Sequence, residues 1–162
     1  MADPAVKKKA GGRAPVAAAD GATAPTHYVL ERQVGHLLRK AHQRHTAIFA
    51  REIDEAKLTP TQYAALVKIF DLGEVSQNRL GRLTAMDPAT VQGVIRRLQA
   101  RNLVVRSADP ENKLRRILRL TEEGVALVRR AIPLGRKISE ATLAPLEEAE
   151  RKVLLDLLER LG

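Results

Sequence analysis

The sequence predicts a mainly helical fold with one small β-hairpin. Apolar residues recur at helical spacing through most of the chain after residue 26. Two short runs break that pattern around a DPEN turn signal, LVVRS at 103–107 and RRILRL at 115–120. A short helix, a tight turn and a second helix directly precede these runs. The predicted fold class is therefore a winged helix-turn-helix, in which the hairpin is the wing, with a helical dimerisation region added.

The first elements differ sharply in composition. Residues 1–25 are rich in Ala, Gly, Pro and Lys, which predicts a disordered basic tail, either a solvated arm or an arm that touches DNA. Residues 27–54 predict one long amphipathic helix. Its apolar side consists of Val34, Leu37, Leu38, Ala41, Ile48 and Phe49.

Capping signals delimit the next helices. The stretch LTPTQYAAL at 58–66 has threonine, proline and glutamine where a capping box with proline at the first helical position needs them. Ser76 predicts the cap of a short third helix, and Asp87 followed by Pro88 predicts the start of a fourth. Asn102 predicts a left-handed end to that fourth helix.

The last third of the chain returns to helical periodicity. Thr121 predicts the cap of a helix that continues to about residue 143, with a kink before Pro133. A final helix at 146–161 carries a stripe of leucines. Residues 26–57 and 121–162 are the predicted dimerisation helices, and residues 58–120 are the predicted DNA-binding part of a single domain at 26–162.

The positive charge lies mostly in one segment. The whole chain has a formal net charge of +9, and residues 79–120 carry ten basic against three acidic residues, a net charge of +7. A basic excess confined to one structural unit is typical of a protein that binds a polyanion. The alternative is a solvated basic surface.

The stretch MDPATVQGVIRRLQARN at 86–102 predicts a DNA-recognition helix. Val91, Val94, Ile95 and Leu98 form one apolar face. A glycine in a helix interior costs about 1 kcal/mol relative to alanine, and Gly93 lies on the opposite face. Small side chains there allow the helix backbone close to base edges, with polar donors beside them. The predicted DNA-contacting residues of this helix are Ala89, Thr90, Gln92, Gly93, Arg96 and Arg97.

The hairpin adds a second predicted DNA contact. Lys113, Arg115 and Arg116 lie at or near its tip, and basic side chains suit the narrow minor groove, where the potential is most negative. Asp109 is interpreted as a residue that forms the turn or orients a wing arginine.

These residues resemble the MarR family of bacterial regulators over about residues 28–161. The resemblance is carried by LTPTQYAAL, by LGRLTAMDPATVQGVIRRLQARNLVVR and by DPENKLRRILRLTEEG. Two departures are Asn102, where the family usually has glycine, and Lys113 with Leu114, where an Arg-Arg pair is common. The resemblance implies a homodimer that binds a pseudo-palindromic operator in double-stranded DNA as a transcriptional repressor.

The resemblance also implies a small-molecule effector, since the first helix looks like that of regulators of aromatic-acid catabolism. The expected effector is an aromatic acid such as a hydroxycinnamate, or its coenzyme A thioester. His36, Arg39 and Lys40 share a face suited to a carboxylate or phosphate, or are simply solvated. His45 is either a buried histidine with a partner or an effector contact.

Other classes of protein fit less well. An architectural nucleoid protein without an effector is the alternative. The sequence has no glycine-rich phosphate loop, nucleophile elbow or catalytic carboxylate pair, so we do not expect an enzyme. It has no cysteine, and no carboxylate completes a metal site with His42 and His45, so neither a metal nor a cofactor is expected. No apolar run is long enough for a membrane span, and a cytoplasmic location is expected.

Overall fold

The computed structural model describes residues 28–109 and 116–162. The predicted tail at 1–25 and two predicted wing residues, Lys113 and Arg115, lie outside these ranges. The described helices are α1 (Val34–Glu52), α2 (Pro60–Leu72), α3 (Gln77–Leu83), α4 (Pro88–Ala100), α5 (Glu122–Leu143) and α6 (Glu148–Leu161). The described strands are β1 (Glu74–Ser76), β2 (Val104–Ala108) and β3 (Arg116–Leu120). The predicted fold class, mainly helical with a small wing, is confirmed.

A single hydrophobic core positions the helix-turn-helix. Helix α2 lies at its centre, where Ala65, Leu66 and Ile69 are completely buried. Helix α5 packs against both α1 and α2, and α4 packs against α2 and α3. Because all of these helices contribute to one core, the orientation of α4 is fixed by the rest of the chain.

The predicted helix starts are confirmed by their hydrogen bonds. The Gln62 N–H donates to Thr59 Oγ1 over 3.3 Å, and the Thr59 N–H donates to Gln62 Oε1 over 3.0 Å. These two bonds are the two halves of a capping box. Ser76 and Thr121 accept similar bonds at the starts of α3 and α5.

The wing contains a third strand that the sequence did not predict. Strand β3 is central and pairs antiparallel with both β1 and β2. Val75 of β1 lies opposite Leu118 of β3, and both side chains are buried. The strand has only three residues, too few for an alternating pattern to distinguish it from the loop before α3.

The first helix differs from its prediction, whereas the fifth agrees in its bounds. Leu30–Arg32 forms a short 3₁₀ helix, and α1 begins only at Val34, because Gln33 has extended backbone (φ −80°, ψ 136°). A single helix over 27–54 is therefore wrong at its start. Helix α5 spans Glu122–Leu143 with Pro133 inside it, as the sequence predicts, and the kink before Pro133 stays a prediction.

Two helices expose large apolar side chains. In α1, Ile48 and Phe49 enter the core, whereas Val34 near the N-terminus is 68% exposed. No residue of α6 is buried. The exposed large apolar residues of these two helices are Val34, Leu37, Leu38, Val153, Leu155, Leu157, Leu158 and Leu161. The predicted apolar stripe of the first helix is thus divided between the core and the surface.

The end of α4 meets the start of α5 at a close backbone contact. Asn102 has a φ of +54°, which confirms the predicted left-handed end of α4. The next carbonyl, of Leu103, accepts a hydrogen bond from the Thr121 N–H over 3.1 Å. A Cβ atom added to Gly124 would lie 2.1 Å from that carbonyl oxygen. Only glycine fits here without a shift of backbone.

We expect Gly124→Ala to destabilise the protein by about 1–3 kcal/mol, since the backbone must move to admit the methyl group. Chemical denaturation of the purified variant measures this change. Gly93→Ala is the matched control, because a Cβ atom there has no neighbour within 4 Å. It should raise stability by about 1 kcal/mol through helix propensity. Equal stabilities for the two variants would contradict the expected contact.

Candidate nucleic-acid interface

Helix α4 has one buried face and one exposed face. Its four apolar residues, predicted to face the core, are at most 2% exposed, namely Val91, Val94, Ile95 and Leu98. The exposed side chains on the other face are Ala89, Thr90, Gln92, Arg96 and Arg97. Gly93 is half-buried between them, and no atom lies within 4 Å of an added Cβ. The core therefore does not require glycine at this position.

Asp87 organises the first turn of α4. Its Oδ1 accepts the N–H groups of Ala89 and Thr90, each over 2.9 Å. Its Oδ2 accepts the Thr90 hydroxyl over 2.5 Å. These bonds, led by that of the Thr90 hydroxyl, hold the pKa of Asp87 below its ordinary value. The helix cap was predicted from the sequence; the contact with the Thr90 side chain was not, although the D-x-x-T spacing could have indicated it.

Two arginines of the basic segment are bound within the fold. Arg101 donates to the Lys57 carbonyl over 2.7 Å and to the Ala56 carbonyl over 3.0 Å. Arg119 forms an ion pair with Glu74 across strands β3 and β1. The positive charge available to DNA is therefore smaller than the sequence count, and it lies mainly on α3, α4 and the wing.

The wing residues differ in how they are placed. Arg116 is the first residue of β3, pairs with Ala108 of β2 and is exposed. Asp109 is only 6% exposed, and both Asp109 and Arg116 interact with other groups. Burial of Asp109 supports its interpretation as a structural residue of the hairpin.

The candidate effector residues of α1 do not form one cluster. Arg39 and Lys40 are exposed and His36 is half-buried, and none of them has a hydrogen bond or ion pair with the described residues. His45 lies about 13 Å further along the helix than His36, on nearly the opposite side. The structure thus separates the basic face of α1 from His45.

His45 faces α5, where its ring forms a hydrogen bond with a threonine side chain. Its Nδ1 lies 3.1 Å from Thr142 Oγ1, which donates its only proton to the Ile138 carbonyl over 2.8 Å. When that proton goes to the carbonyl, Thr142 accepts from the His45 tautomer that has its proton on Nδ1. In that tautomer Nε2 carries the lone pair of the neutral ring. Half-burial and this partner agree with the interpretation of His45 as a partnered histidine.

An aromatic cluster extends from His45 toward α2. The rings of His45 and Phe49 are 6.3 Å apart, and those of Phe49 and Tyr63 meet edge to face at 5.8 Å. Burial raises the pKa of the Tyr63 hydroxyl. Tyr63 also lines an open cavity of about 610 Å³ between α2 and α5. Gly135 borders this cavity against the Tyr63 side chain.

The described residues were also compared with the requirements of a metal site and of a membrane-spanning helix. Within 28–109 and 116–162, no group of three or more His, Cys, Asp or Glu residues is placed to hold a metal ion. No helix in the same ranges is both long and apolar enough to cross a membrane.

The helix-turn-helix, its basic exposed face and the adjacent wing define a winged helix-turn-helix DNA-binding protein. A family model described as the MarR family matches residues 58–115. The HTH-type transcriptional repressor NicR of Pseudomonas putida is 45% identical over 136 residues, which are 84% of this chain and 86% of that protein. The chain belongs to the MarR family.

Two solved structures share the fold at substantial sequence identity. Bordetella bronchiseptica BpsR, whose DNA binding is regulated by 6-hydroxynicotinic acid, is 42% identical with a TM-score of 0.79, covering 83% of this chain and 96% of that one. Streptomyces coelicolor PcaV, solved with its natural ligand, is 31% identical with a TM-score of 0.78, covering 83% and 94%.

Proposed function

We propose that this chain is a transcriptional repressor that binds a pseudo-palindromic operator as a homodimer and is released by a small aromatic acid. The observation that carries the proposal is the exposed face of α4, where small and polar side chains surround a glycine that the fold does not need. A recognition helix presents such a face to base edges in the major groove. The predicted contacts are those of α4 together with Lys113, Arg115 and Arg116 of the wing.

The exposed apolar surfaces support the homodimer. One side of α6 forms an open groove of about 430 Å³, with a lining that is almost entirely apolar. The residues lining it are Leu146, Ala149, Glu150, Val153, Leu154 and Leu157. A monomer rarely leaves such a surface in water, and a second copy of the same helices would cover it. Two recognition helices would then face two half-sites.

The effector proposal combines chemistry on α1 with the relative whose DNA binding is regulated by 6-hydroxynicotinic acid. An aromatic acid has a carboxylate, which Arg39 and Lys40 of the basic face are free to bind. The Phe49 and Tyr63 rings lie with His45 away from that face, so they are a separate candidate contact for an aromatic ring. His45 Nε2 offers a lone pair to a ring hydroxyl or N–H. The relative regulated by 6-hydroxynicotinic acid makes that compound the first to test. Coenzyme A thioesters are the alternative effector class.

The test of the proposed function is binding to the DNA upstream of the gene that encodes the protein. Fluorescence anisotropy at fixed salt should give tighter binding to one segment of this region than to random DNA. Addition of 6-hydroxynicotinic acid, a hydroxycinnamate or its thioester should release the complex. Equal affinity for all sequences, with a steep salt dependence, would indicate an architectural protein instead.

We expect Arg39→Ala to leave operator affinity unchanged and to weaken the response to an aromatic acid about tenfold or more, because a hydrogen bond to a charged group contributes about 1.5–3 kcal/mol. The measurement is the effector concentration that releases half of the bound DNA. Arg129→Ala, which removes another exposed arginine from α5, is the control and should change neither property. An unchanged effector response in Arg39→Ala would show that the basic face of α1 is merely solvated.

A further inference from the structure

The first turn of α4 determines whether the Thr90 hydroxyl can donate or accept a hydrogen bond on the exposed face. A threonine hydroxyl has one proton to donate and two lone pairs to accept with. The proton of Thr90 is directed at Asp87 Oδ2, 2.5 Å away. An ionised carboxylate accepts and never donates, so the direction of this bond is not ambiguous.

The carboxylate is held in place from its other oxygen. Asp87 Oδ1 accepts two backbone N–H groups of the same turn, so the side chain cannot rotate without loss of the helix cap. The same bonds keep the pKa of Asp87 low, and the carboxylate is ionised at neutral pH. A hydrogen bond to a charged acceptor is also stronger than one between neutral groups.

We propose that Asp87 makes Thr90 an acceptor-only reader of the major groove, which selects a base with an exocyclic amino group. This inference rests on the proposed function, because it requires the first turn of α4 to face base edges. With its proton committed, Thr90 Oγ1 offers lone pairs alone. In the major groove adenine N6 and cytosine N4 are donors, whereas guanine O6 and N7, thymine O4 and adenine N7 are acceptors, so an acceptor-only hydroxyl can pair with adenine only at N6.

The nearby negative charge acts in the same direction. The Asp87 carboxylate lies beside Thr90 at the end of the helix that meets the groove, where it disfavours acceptor atoms and phosphate oxygens. Without the carboxylate, threonine would pair with either kind of base, because its hydroxyl rotates to suit its partner. Asp87 is therefore a positioning residue for specificity, and Thr90 makes the contact.

The experiment enriches bound duplexes from a random DNA library with the full-length protein and three variants. Thr90→Ser keeps the hydroxyl, and Thr90→Val keeps the shape without it. Asp87→Asn keeps the helix cap, since asparagine caps as well as aspartate. Its amide nitrogen, however, would donate to Thr90 Oγ1 and turn the hydroxyl proton toward DNA. Affinities are then measured at fixed salt on the enriched site and on its single-base-pair substitutions.

We expect the wild-type protein and Thr90→Ser to prefer adenine or cytosine over guanine or thymine at one position of each half-site, by about three- to tenfold. Thr90→Val should lose the preference at that position and keep all others. Asp87→Asn should move the preference there toward guanine or thymine.

Two results would overturn the inference. One is an unchanged base preference in Thr90→Val. The other is a base preference that is lost in Thr90→Val but is unchanged in Asp87→Asn. In that case the hydrogen-bonding role of the Thr90 hydroxyl would not depend on the Asp87 carboxylate. Both leave the proposed function standing, since the wild-type protein still enriches an operator. Failure of the wild-type protein to enrich any sequence would instead remove the proposed function itself.

Discussion

Leu157→Asp is expected to separate the proposed dimer and to lower operator affinity about 100-fold or more. Leu157 lines the apolar groove of α6, and a carboxylate buried there without a partner is strongly unfavourable. Two linked half-site contacts exceed a single contact by factors of about 10²–10⁴. Sedimentation velocity gives the oligomeric state, and anisotropy with the operator gives the affinity.

The control for this variant introduces the same aspartate side chain on the other side of the helix. The control is Lys152→Asp, because Lys152 is exposed and lies outside the groove. It should remain dimeric and should bind the operator with nearly unchanged affinity. A dimeric Leu157→Asp protein would mean that α6 is not part of the subunit interface.

Gly93→Leu is expected to lower operator affinity about 100-fold while the fold is retained. A Cβ atom at this position has open space around it, so the protein itself tolerates a side chain. Bulk on the exposed face would hold the helix away from the base edges. A loss of about 1–3 kcal/mol in each half-site, the usual cost of a mismatched base pair, gives this order of magnitude.

The comparison variant places the same side chain elsewhere on α4. Ala100 is exposed about 10 Å further along the helix on nearly the same side, at the C-terminal end. Because recognition helices contact bases mainly through their N-terminal residues, Ala100→Leu should weaken binding much less. Similar losses for the two variants would indicate that the helix lies in the groove differently from the proposal.

Local chemical signals account for most of the fold that the sequence predicted. The capping box at Thr59, the caps at Asp87 and Thr121 and the left-handed Asn102 depend on nearby residues, and each is present in the structure. The buried face of α4 follows directly from helical periodicity. Such features can be predicted from one sequence because the residues that form each of them lie within a few positions of each other.

The missed features depend on residues far apart in the chain. Strand β1 exists because Val75 meets Leu118, and Arg101 binds carbonyls more than forty residues earlier. Composition alone therefore counted Arg101 and Arg119 as free positive charge. The extended backbone at Gln33, which delays the start of α1, has no local signal either.

The two hydrogen bonds from Arg101 to the carbonyls of Ala56 and Lys57 make a point about which α4 could tilt. They fasten the C-terminal end of the reading helix to the segment that follows α1. Helix α4 is about 20 Å long, so a tilt of about 10° around that end moves the other end by about 3.5 Å. This distance is about the rise of one base pair along a strand. A rotation of about 10° that is passed to α4 from the segment after α1 would therefore displace the N-terminal end of α4 by about one base pair relative to its half-site.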